Sequence, residues 1–425
     1  MNNINQILKE VISEISPSEE ELKTIKKQVN DFTQFLQREV KKHKINAQVF
    51  VGGSFAKDTL IKKGNYDIDV FVRFSKKYNE KEISGLLENI LRGSHAKKVH
   101  GSRDYFRVDF PAFYIEIIPV MAVKNPKEAE NITDLSYFHV NYIKKKLKTE
   151  KILGEVKLAK AFCHASKSYG AESYVNGFSG YALELLIHRY KSFLGFIKAM
   201  VKVKDREIID IEKLYKNKYE VEMNMNSAKM KSPVILIDPT YKERNALAAL
   251  SGETFSKFRE SGKRFLKNPS RDYFEIKKVD FEKAKTNAEK NRFDFILLET
   301  RTDKQEGDIA GSKLLKFYRH LNSELSKFYD GNNTNFEYND EKEAKFFFAV
   351  KARKEIVLEG PRSDDKGNSK AFRKKHKNTF VKKGRVYAKE KNNLSIEKCV
   401  NAWKIKNKRK ISEMDIKEIK IINFL

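Results

Sequence analysis

The chain has 425 residues, 40% of them hydrophobic, and this length suggests roughly two to three domains with sizeable cores. A net charge of +28 favours a polyanionic partner, and nucleic acid is the commonest one. Cys163 and Cys399 are too few for a disulfide framework or a zinc site. Because the N-terminus lacks a signal peptide's apolar core and no apolar run is long enough to span a bilayer, we expect a cytoplasmic protein without membrane association.

Residues 1–44 predict two helices. Apolar residues recur at helical spacing in both halves of this stretch, from Ile4 to Ile15 and from Leu22 to Val40. The sequence Ser16-Pro17-Ser18-Glu19 is interpreted as a capping box with proline at the first helical position. The two apolar stripes therefore predict core packing.

The stretch 51–74 predicts a strand, a turn, a short helix and a second strand. Ala47–Val51 is a short apolar run, and Gly52-Gly53-Ser54 predicts a turn that leads into a turn or two of helix through Leu60. Tyr66–Phe74 alternates like a strand. Free backbone N–H groups at such a helix start can hold phosphate.

Asp67 and Asp69 lie two residues apart on the second strand, so their carboxylates leave the same face. Two neighbouring carboxylates repel unless a cation lies between them, and a pair of divalent ions is the natural occupant. A Gly-Gly-Ser turn or a D-x-D pair is more often structural than functional when it occurs alone. Their combination, about a dozen residues apart, is far more specific and predicts nucleotide transfer.

Glu116 is the first candidate for a third metal ligand. It lies on the apolar strand predicted for Phe113–Ile118, which Pro119 is expected to end, and a carboxylate there is costly to bury without a cation or hydrogen bonds. Asp109, on the run Tyr105–Phe110, is the rival. The residues alone do not fix which run lies beside the D-x-D strand.

Apolar periodicity predicts the remaining elements. They are a helix over Glu80–Arg92, helices within 133–200 including Glu155–Ser168 and Ala182–Met200, a strand at 234–238, a helix from Arg244-Asn245 through Leu250, strands at Phe293–Glu299 and Lys345–Lys351, and a helix near Ser312–Phe328 between them.

The end of the chain is rich in lysine, with aromatic residues interleaved. The basic runs are Arg373-Lys374-Lys375-His376-Lys377, Lys382-Lys383 and Lys406 to Lys410, and the aromatics are Phe372, Phe380, Tyr387 and Trp403. Basic patches with aromatics suit RNA, whose bases can stack on the rings. The alternative is that the aromatics belong to the core and the lysines to a solvated face.

Several motifs carry a resemblance. Gly53-Ser54 with Thr59, followed by Asp67-x-Asp69, resembles the nucleotidyltransferase signature of the DNA polymerase beta superfamily. An ordered set narrows the resemblance to the archaeal, class I CCA-adding enzymes: Ile115-Glu116-Ile117-Ile118-Pro119, Tyr169-Gly170-Ala171-Glu172, Gly177-Phe178-Ser179-Gly180-Tyr181, Glu184-Leu185-Leu186-Ile187, and Asp238-Pro239 with Arg244-Asn245. The similarity is clear from about residue 45 to 260.

The resemblance implies an α+β (mixed α/β) fold with a polymerase-beta-like nucleotidyltransferase head, a helical neck, and an α+β body and tail. The corresponding expectation is a catalytic head at 1–148, a helical neck and central nucleotide-binding domain at 149–262, and an RNA-binding body and tail at 263–425. A homodimer is compatible with this architecture, and the sequence leaves the oligomeric state open.

The implied reaction is untemplated addition of C, C and A to the 3′ end of tRNA from CTP and ATP, with the acceptor arm held by the body and tail. The site residues carried over by motif are Asp67, Asp69 and Glu116 for two Mg²⁺ ions, Ser54 and Lys57 for nucleotide phosphates, His139, Lys160 and Tyr169 to complete the nucleotide site, and Arg244 to help read the incoming base.

The sequence departs from the family at three places. A family histidine upstream of the third acid falls near Arg103 here, with His100 close by. Lys57 stands where the family commonly has arginine, so a bidentate phosphate contact becomes a point charge. The family commonly has Glu as its first acid and Asp as its third, and here they are Asp67 and Glu116. The alternatives are a relative that adds poly(A) or 2′-5′ links, and a non-catalytic RNA-binding protein on the same fold; the intact acids argue against the latter.

Overall fold

The computed structural model describes residues 2–62, 64–101, 103–339, 341–392 and 394–423. The chain divides into two compact units, Met1–Lys277 and Lys278–Leu425. Both units combine helices with sheets, which confirms the predicted α+β class. No helix in the described part of the chain has the length and apolar character needed to cross a membrane.

The first unit contains helices and strands in mixed order. Its helices are α1 (Asn2–Ile15), α2 (Glu19–Lys42), α3 (Glu80–Ile90), α4 (Ser136–Lys146), α5 (Glu150–Ala165), α6 (Gly180–Tyr190), α7 (Phe193–Lys202), α8 (Lys218–Asn224) and α9 (Gly252–Lys267). Its strands are β1 (Ala47–Val51), β2 (Tyr66–Phe74), β3 (Lys97–Val99), β4 (Tyr105–Asp109), β5 (Phe113–Met121), β6 (Glu207–Ile209), β7 (Val234–Asp238) and β8 (Tyr241–Asn245).

A five-stranded sheet in the order β1-β2-β5-β4-β3 forms the centre of the N-terminal part. Strands β2 and β5 run parallel, whereas the other neighbours are antiparallel. Ile68, Val70 and Val72 of β2 are fully buried in a core shared with α2 and α3. Because successive residues of a strand face opposite sides, Asp67 and Asp69 lie on the other face of the sheet.

The start of α2 corrects a prediction. Ser18, and not Ser16, is the N-cap. Its side chain accepts a hydrogen bond from the Glu21 backbone N–H, and the Glu21 carboxylate accepts one from the Ser18 backbone N–H. Pro17 therefore precedes the helix. The reciprocal pair satisfies two donors that the first helical turn leaves without partners.

A second core fills the helical part of the same unit. It is built from α1, α4 to α7, α9 and strand β7, and Phe162 of α5 lies among the rings of Phe193, Phe258 and Phe265. The helix predicted for Ala182–Met200 is two helices, because Lys191 adopts a left-handed conformation that ends α6 and Ser192 caps α7.

The prediction of a helix that begins at Arg244-Asn245 is wrong. Tyr241–Asn245 is strand β8, which pairs antiparallel with β7. The Asn245 side chain accepts 2.9 Å hydrogen bonds from the backbone N–H groups of Leu236 and Leu247. These bonds hold the chain in a hairpin and outweigh the local helical pattern.

The second unit contains helices α10 (Phe281–Lys290), α11 (Asp308–Leu325), α12 (Lys366–Lys375), α13 (Ile396–Lys406) and α14 (Lys408–Glu413). Its strands are β9 (Asp294–Thr302), β10 (Tyr329–Tyr338), β11 (Glu343–Ala352), β12 (Glu355–Arg362), β13 (Thr379–Lys382), β14 (Arg385–Lys391) and β15 (Ile416–Ile422).

The strands of the second unit form two antiparallel sheets, β10-β11-β9-β15 and β12-β14-β13. Helices α11 and α13 share a core with the first sheet, in which the Trp403 ring lies 6.1 Å from Phe317 and 5.7 Å from His320. Helix α12 contacts the smaller sheet at β12 and β14. The predicted boundary at 262/263 lies inside α9, and the three-part division stays a prediction.

Candidate active site

The Gly-Gly-Ser turn connects β1 to β2 and lies against the D-x-D strand. The Gly52 N–H donates a 2.8 Å hydrogen bond to the Asp69 carbonyl. Gly53 has φ +60°, and a side-chain carbon there would collide with the Asp69 carboxylate. Only glycine therefore meets both the left-handed conformation and the close approach.

The helix predicted after this turn is shorter than expected. A single 3₁₀ turn covers Phe55–Lys57, and Asp58 ends it with a φ of 56°. The Ser54 carbonyl accepts hydrogen bonds from the backbone N–H groups of Lys57 at 3.3 Å and Thr59 at 3.0 Å. These bonds fold the chain back at once, so that Leu60 enters the sheet core instead of extending a helix.

The register of β2 and β5 brings the three predicted acids together on one face. Asp69 is paired with Glu116, and Asp67 with Tyr114, in the parallel ladder. All three carboxylate-bearing residues are half-buried between fully buried apolar neighbours. Neighbouring residues of adjacent strands share a face, so Asp67, Asp69 and Glu116 form one acidic patch.

Asp109 occupies a different position. It lies at the end of β4, which is separated from β2 by β5. Its carboxylate accepts hydrogen bonds from Lys97 at 3.0 Å and from Arg107 at 2.6 Å. Both side chains of the Lys97–Asp109 pair are exposed, so cations of the protein already surround Asp109.

Two half-buried tyrosines lie within the negative electrostatic potential of the acidic patch. Burial, together with the charges of Asp67 and Glu116, raises the pKa of the Tyr114 hydroxyl. Burial and the charges of Asp67 and Glu184 likewise raise the pKa of Tyr169. Tyr169, which sequence analysis assigned to the nucleotide site, therefore lies within the electrostatic reach of the acids.

The acidic patch fits Mg²⁺ as a site completed by substrate. Within the described ranges, no group of three or more His, Cys, Asp or Glu side chains is arranged as a metal site. Mg²⁺ in nucleotide enzymes is commonly bound by one or two carboxylates together with substrate phosphates, so an all-protein cage is not required. The carboxylate oxygens of Asp67, Asp69 and Glu116 suit this type of site. Because residue 53 is a glycine, the backbone of the turn can lie directly against the Asp69 carboxylate.

Lys57 and Lys160 share one buried carboxylate. Lys57 Nζ donates to Glu184 Oε2 at 2.6 Å, and Lys160 Nζ lies 3.6 Å from Glu184 Oε1. Thr59 links the two sides, because its hydroxyl donates to Glu184 at 3.1 Å and accepts from Lys160 at 2.8 Å. Burial lowers the pKa of Lys160 to about 8 and the charge of Lys57 acts in the same direction, whereas Glu184 opposes the shift.

His139 and Arg244 meet at Asp238. His139 Nε2 lies 3.0 Å from Asp238 Oδ2, and Arg244 Nη1 donates to the same oxygen at 2.7 Å. The Tyr181 ring stacks on His139 with a 3.9 Å separation, and its hydroxyl donates to Asp238 Oδ1 at 2.9 Å. Burial lowers the pKa of His139, as do the charges of Arg244 and Lys57, against the opposing effect of Asp238.

The Asp238 carboxyl stays ionised in this cluster. Burial alone acts to raise its pKa, but the hydrogen bond and charge of His139 and the charge of Arg244 hold the pKa well below its ordinary value. The charge of Lys57, at the end of the 3₁₀ turn, also lowers the pKa of His139, so the Asp238 cluster interacts electrostatically with that turn.

Sequence reasoning did not assign Glu184 or Tyr181 to the site. Both carried a signal within the helix GYALELLIHRY: Glu184 is the only acid in an apolar run, which is costly to bury without partners. Tyr181 follows the helix start, where a hydroxyl reaches a neighbouring strand end. Their partners are distant in sequence, so the pairing itself could not be predicted.

Comparisons with known families match both parts of the first unit. Residues 154–275 match the second domain of tRNA nucleotidyltransferase. Residues 1–158 match the Second Messenger Oligonucleotide or Dinucleotide Synthetase domain. These two matches meet within α5, which carries Lys160.

Curated relatives extend the similarity over most of the chain. The CCA-adding enzyme of Nanoarchaeum equitans is 38% identical over 281 residues, which are 66% of this chain and 67% of that protein. The CCA-adding enzyme of Methanocaldococcus jannaschii is 28% identical over 397 residues, which are 91% of this chain and 87% of that protein. Among solved structures, a cytoplasmic RNA terminal U-transferase aligns with 66% of this chain and all of its own at 14% identity and a TM-score of 0.49.

Proposed function

We propose a function for this chain on the premise that it belongs to the CCA-adding enzymes, a family of tRNA nucleotidyltransferases. It adds C, C and A to tRNA 3′ ends from CTP and ATP and releases pyrophosphate. The proposal is carried by one observation: Asp69 and Glu116 are neighbours in the parallel ladder, with Asp67 on the same face and Gly53 against Asp69. Carboxylates in this arrangement beside a glycine turn suit nucleotidyl transfer.

Asp67, Asp69 and Glu116 are the residues that would hold two Mg²⁺ ions. When bound, the ions would supply activation of the RNA 3′-hydroxyl and charge stabilisation of the leaving pyrophosphate. The carboxylates themselves fix where the ions bind, because β2 and β5 hold them at adjacent ladder positions. No side-chain general base is required by this scheme.

Ser54 and two lysines would bind and orient the triphosphate. Ser54 lies at the tight turn, and Lys57 and Lys160 offer positive charge from the buried cluster around Glu184. The Tyr169 hydroxyl interacts electrostatically both with Glu184 of that cluster and with the acid Asp67, and burial together with these charges raises its pKa. His139 completes the nucleotide site on the side of Asp238.

Arg244 would help to read the incoming base. Its guanidinium has donors only, in a rigid fork. Its side chain is 19% exposed, so it is not sealed in the protein interior. The N–H donors of the guanidinium suit the acceptor atoms on the Watson–Crick edges of cytosine and adenine.

The basic second unit would hold the acceptor arm through phosphates. Exposed lysines and arginines concentrate on α12 and on the sheet that contains β13 and β14. Phe380 and Tyr387 stack at 5.5 Å between those strands and could support an RNA base or terminal pair. Phosphate contacts of this kind make affinity depend strongly on salt.

The test is nucleotide incorporation into tRNA that lacks its 3′ CCA. With Mg²⁺, labelled CTP alone should add two residues, and labelled ATP should enter only when CTP is also present, with one pyrophosphate for each addition. A tRNA that already ends in CCA should accept neither nucleotide. Long tails made from ATP, or links that resist a nuclease specific for 3′-5′ bonds, would instead identify a poly(A)- or 2′-5′-adding relative.

A further inference from the structure

Asp238 is fully buried at the end of β7, and several donors converge on its two oxygens. Oδ1 accepts hydrogen bonds from the Tyr181 hydroxyl at 2.9 Å and from the backbone N–H and hydroxyl of Thr240 at 2.8 Å each. Oδ2 accepts from Arg244 Nη1 at 2.7 Å and is 3.0 Å from His139 Nε2. A carboxylate so completely engaged has one orientation.

Arg244 depends on this carboxylate for its own orientation. Its Cζ lies 5.8 Å from the centre of the Tyr181 ring, so the guanidinium is also attracted to the aromatic face. Among the described residues, Asp238 is the one carboxylate that pairs with the Arg244 guanidinium. The pairing occupies Nη1 and leaves the other N–H groups of the fork for a ligand.

We propose that Asp238 is a positioning residue for base selection, which holds the Arg244 fork so that only bases with an acceptor at the centre of the Watson–Crick edge are accepted. This inference rests on the proposed function and deepens it. Cytosine N3 and adenine N1 are acceptors, whereas uracil N3 and guanine N1 carry hydrogens. A fixed donor therefore matches the first two bases and opposes the second two.

A fixed orientation is required because arginine alone does not discriminate. Uracil and guanine also carry carbonyl oxygens beside their N–H groups, and a mobile guanidinium would rotate to reach them. Anchoring by Asp238, which Tyr181 and Thr240 hold in turn, removes this freedom. Selectivity arises from support behind the contacting residue as well as from the residue itself.

The experiment measures kcat/KM for single additions in the whole protein. CTP and UTP are compared on tRNA lacking CCA, and ATP and GTP on tRNA ending in CC, for the wild type, Asp238→Asn, Arg244→Ala and the double variant. An amide can accept at only one of its two ends, so Asp238→Asn cannot satisfy both sets of donors. We expect its CTP/UTP and ATP/GTP ratios to fall about tenfold to a hundredfold, the effect of losing one charged hydrogen bond.

The double variant separates positioning from general stability. If Asp238 acts through Arg244, Asp238→Asn lowers neither ratio further in the Arg244→Ala background. A matched control is Asp134→Asn, because Asp134 is also a buried aspartate paired with an arginine, Arg103. This control should lose stability but keep both nucleotide ratios.

Tyr181→Phe is the second variant, in case Asp238→Asn does not fold. It keeps the ring on His139 and removes one hydrogen bond to Asp238, so both ratios should fall by a smaller factor. Unchanged ratios in a folded Asp238→Asn or Tyr181→Phe, or an equal further fall in the Arg244→Ala background, would overturn the proposal. If the wild type adds neither C nor A, the proposed function itself is wrong, which is a different result.

Discussion

Lys57 and Glu184 lie 127 positions apart in the sequence, yet Lys57 Nζ donates a 2.6 Å hydrogen bond to a carboxylate that has no exposed surface. The bond joins the turn after β1 to helix α6, and therefore the sheet part of the first unit to its helical part. Lys160 lies 3.6 Å from the same carboxylate, so one acid compensates two buried cations.

Glu184→Gln should destabilise the first unit strongly. The substitution leaves Lys57 and Lys160 buried without a counter-charge, and breaking a buried pair in this way costs about 3–5 kcal/mol. Denaturant unfolding of the two proteins measures the difference. The control is Lys57→Met, which leaves Glu184 with Lys160 and should cost less; a larger loss in the control would contradict the role assigned to Glu184.

The pH dependence of stability should carry a contribution from Lys160. Its folded-state pKa of about 8 lies below its ordinary value, so between the two the folded protein holds fewer protons on this side chain than the unfolded chain does. The cost of burying its charge is present in full below about pH 8 and is relieved as pH rises through that window.

The measurement compares the unfolding free energy of wild type and Lys160→Met from neutral to alkaline pH. The wild type should gain stability relative to the variant as pH rises through the folded pKa. A constant difference across this range would mean that Lys160 keeps its ordinary pKa in the folded protein.

Asp69→Asn should reduce nucleotide addition by several orders of magnitude, because it keeps the size of the side chain but removes the charge that binds the ions. Glu116→Gln should behave likewise. tRNA affinity, measured separately by filter binding, should be unchanged or slightly higher because one negative charge near the RNA end is gone.

Asp109→Asn is the matched control for the acids. Its carboxylate is exposed and already paired with Lys97 and Arg107, so the substitution should be mild. An inactive Asp109→Asn beside an active Glu116→Gln would move the third ligand to Asp109. Near-normal addition by Asp69→Asn would refute the metal mechanism.

Gly53→Ala should lose activity far beyond its loss of stability. The new methyl group would displace the Asp69 carboxylate and strain a residue at φ +60°. Single-turnover incorporation and thermal unfolding measure the two effects. Gly85→Ala is the control, because nothing lies within 4 Å of the added carbon in α3; it should keep activity and gain up to about 1 kcal/mol in stability.

Replacing Arg373, Lys374 and Lys375 of α12 with glutamine should weaken tRNA binding far more than CTP binding. Each lost phosphate contact should lower the log–log salt slope of tRNA affinity by about one. Lys41, Lys42 and Lys44, also exposed, give a control with the same change in net charge. Equal losses for tRNA and CTP would show that the α12 residues are structural.

The acidic patch could be predicted only in part from short-range rules, because the choice of Glu116 over Asp109 came from the family resemblance. Alternation along β2 and an acid on an apolar strand are visible in the sequence, and the structure places Glu116 directly beside Asp69. The end of β5 was predicted wrongly, since the strand continues through Pro119 to Met121. Pro119 stays opposite Val72 of β2, but pairing with β4 ends at Ile117, so the side of β5 that faces β4 has no ladder to disrupt at Pro119.

The clusters around Glu184 and Asp238 could not be predicted from the sequence. Their partners come from turns, helices and strand ends that are far apart in the chain, as with Thr59 and Lys160 or His139 and Asp238. Local propensity also failed at Arg244, where a hairpin held by the Asn245 side chain replaced the predicted helix. Tertiary hydrogen bonds decide such segments.

Trp403 gives the second unit an optical label of its own. It is the chain's only tryptophan, and its ring lies in the core beside Phe317 and His320. Tryptophan emission therefore follows the melting of that core alone, whereas circular dichroism sums the helices of both units. Plotting tryptophan emission and circular dichroism against denaturant concentration would reveal whether the two units unfold in one transition or two, without an attached dye.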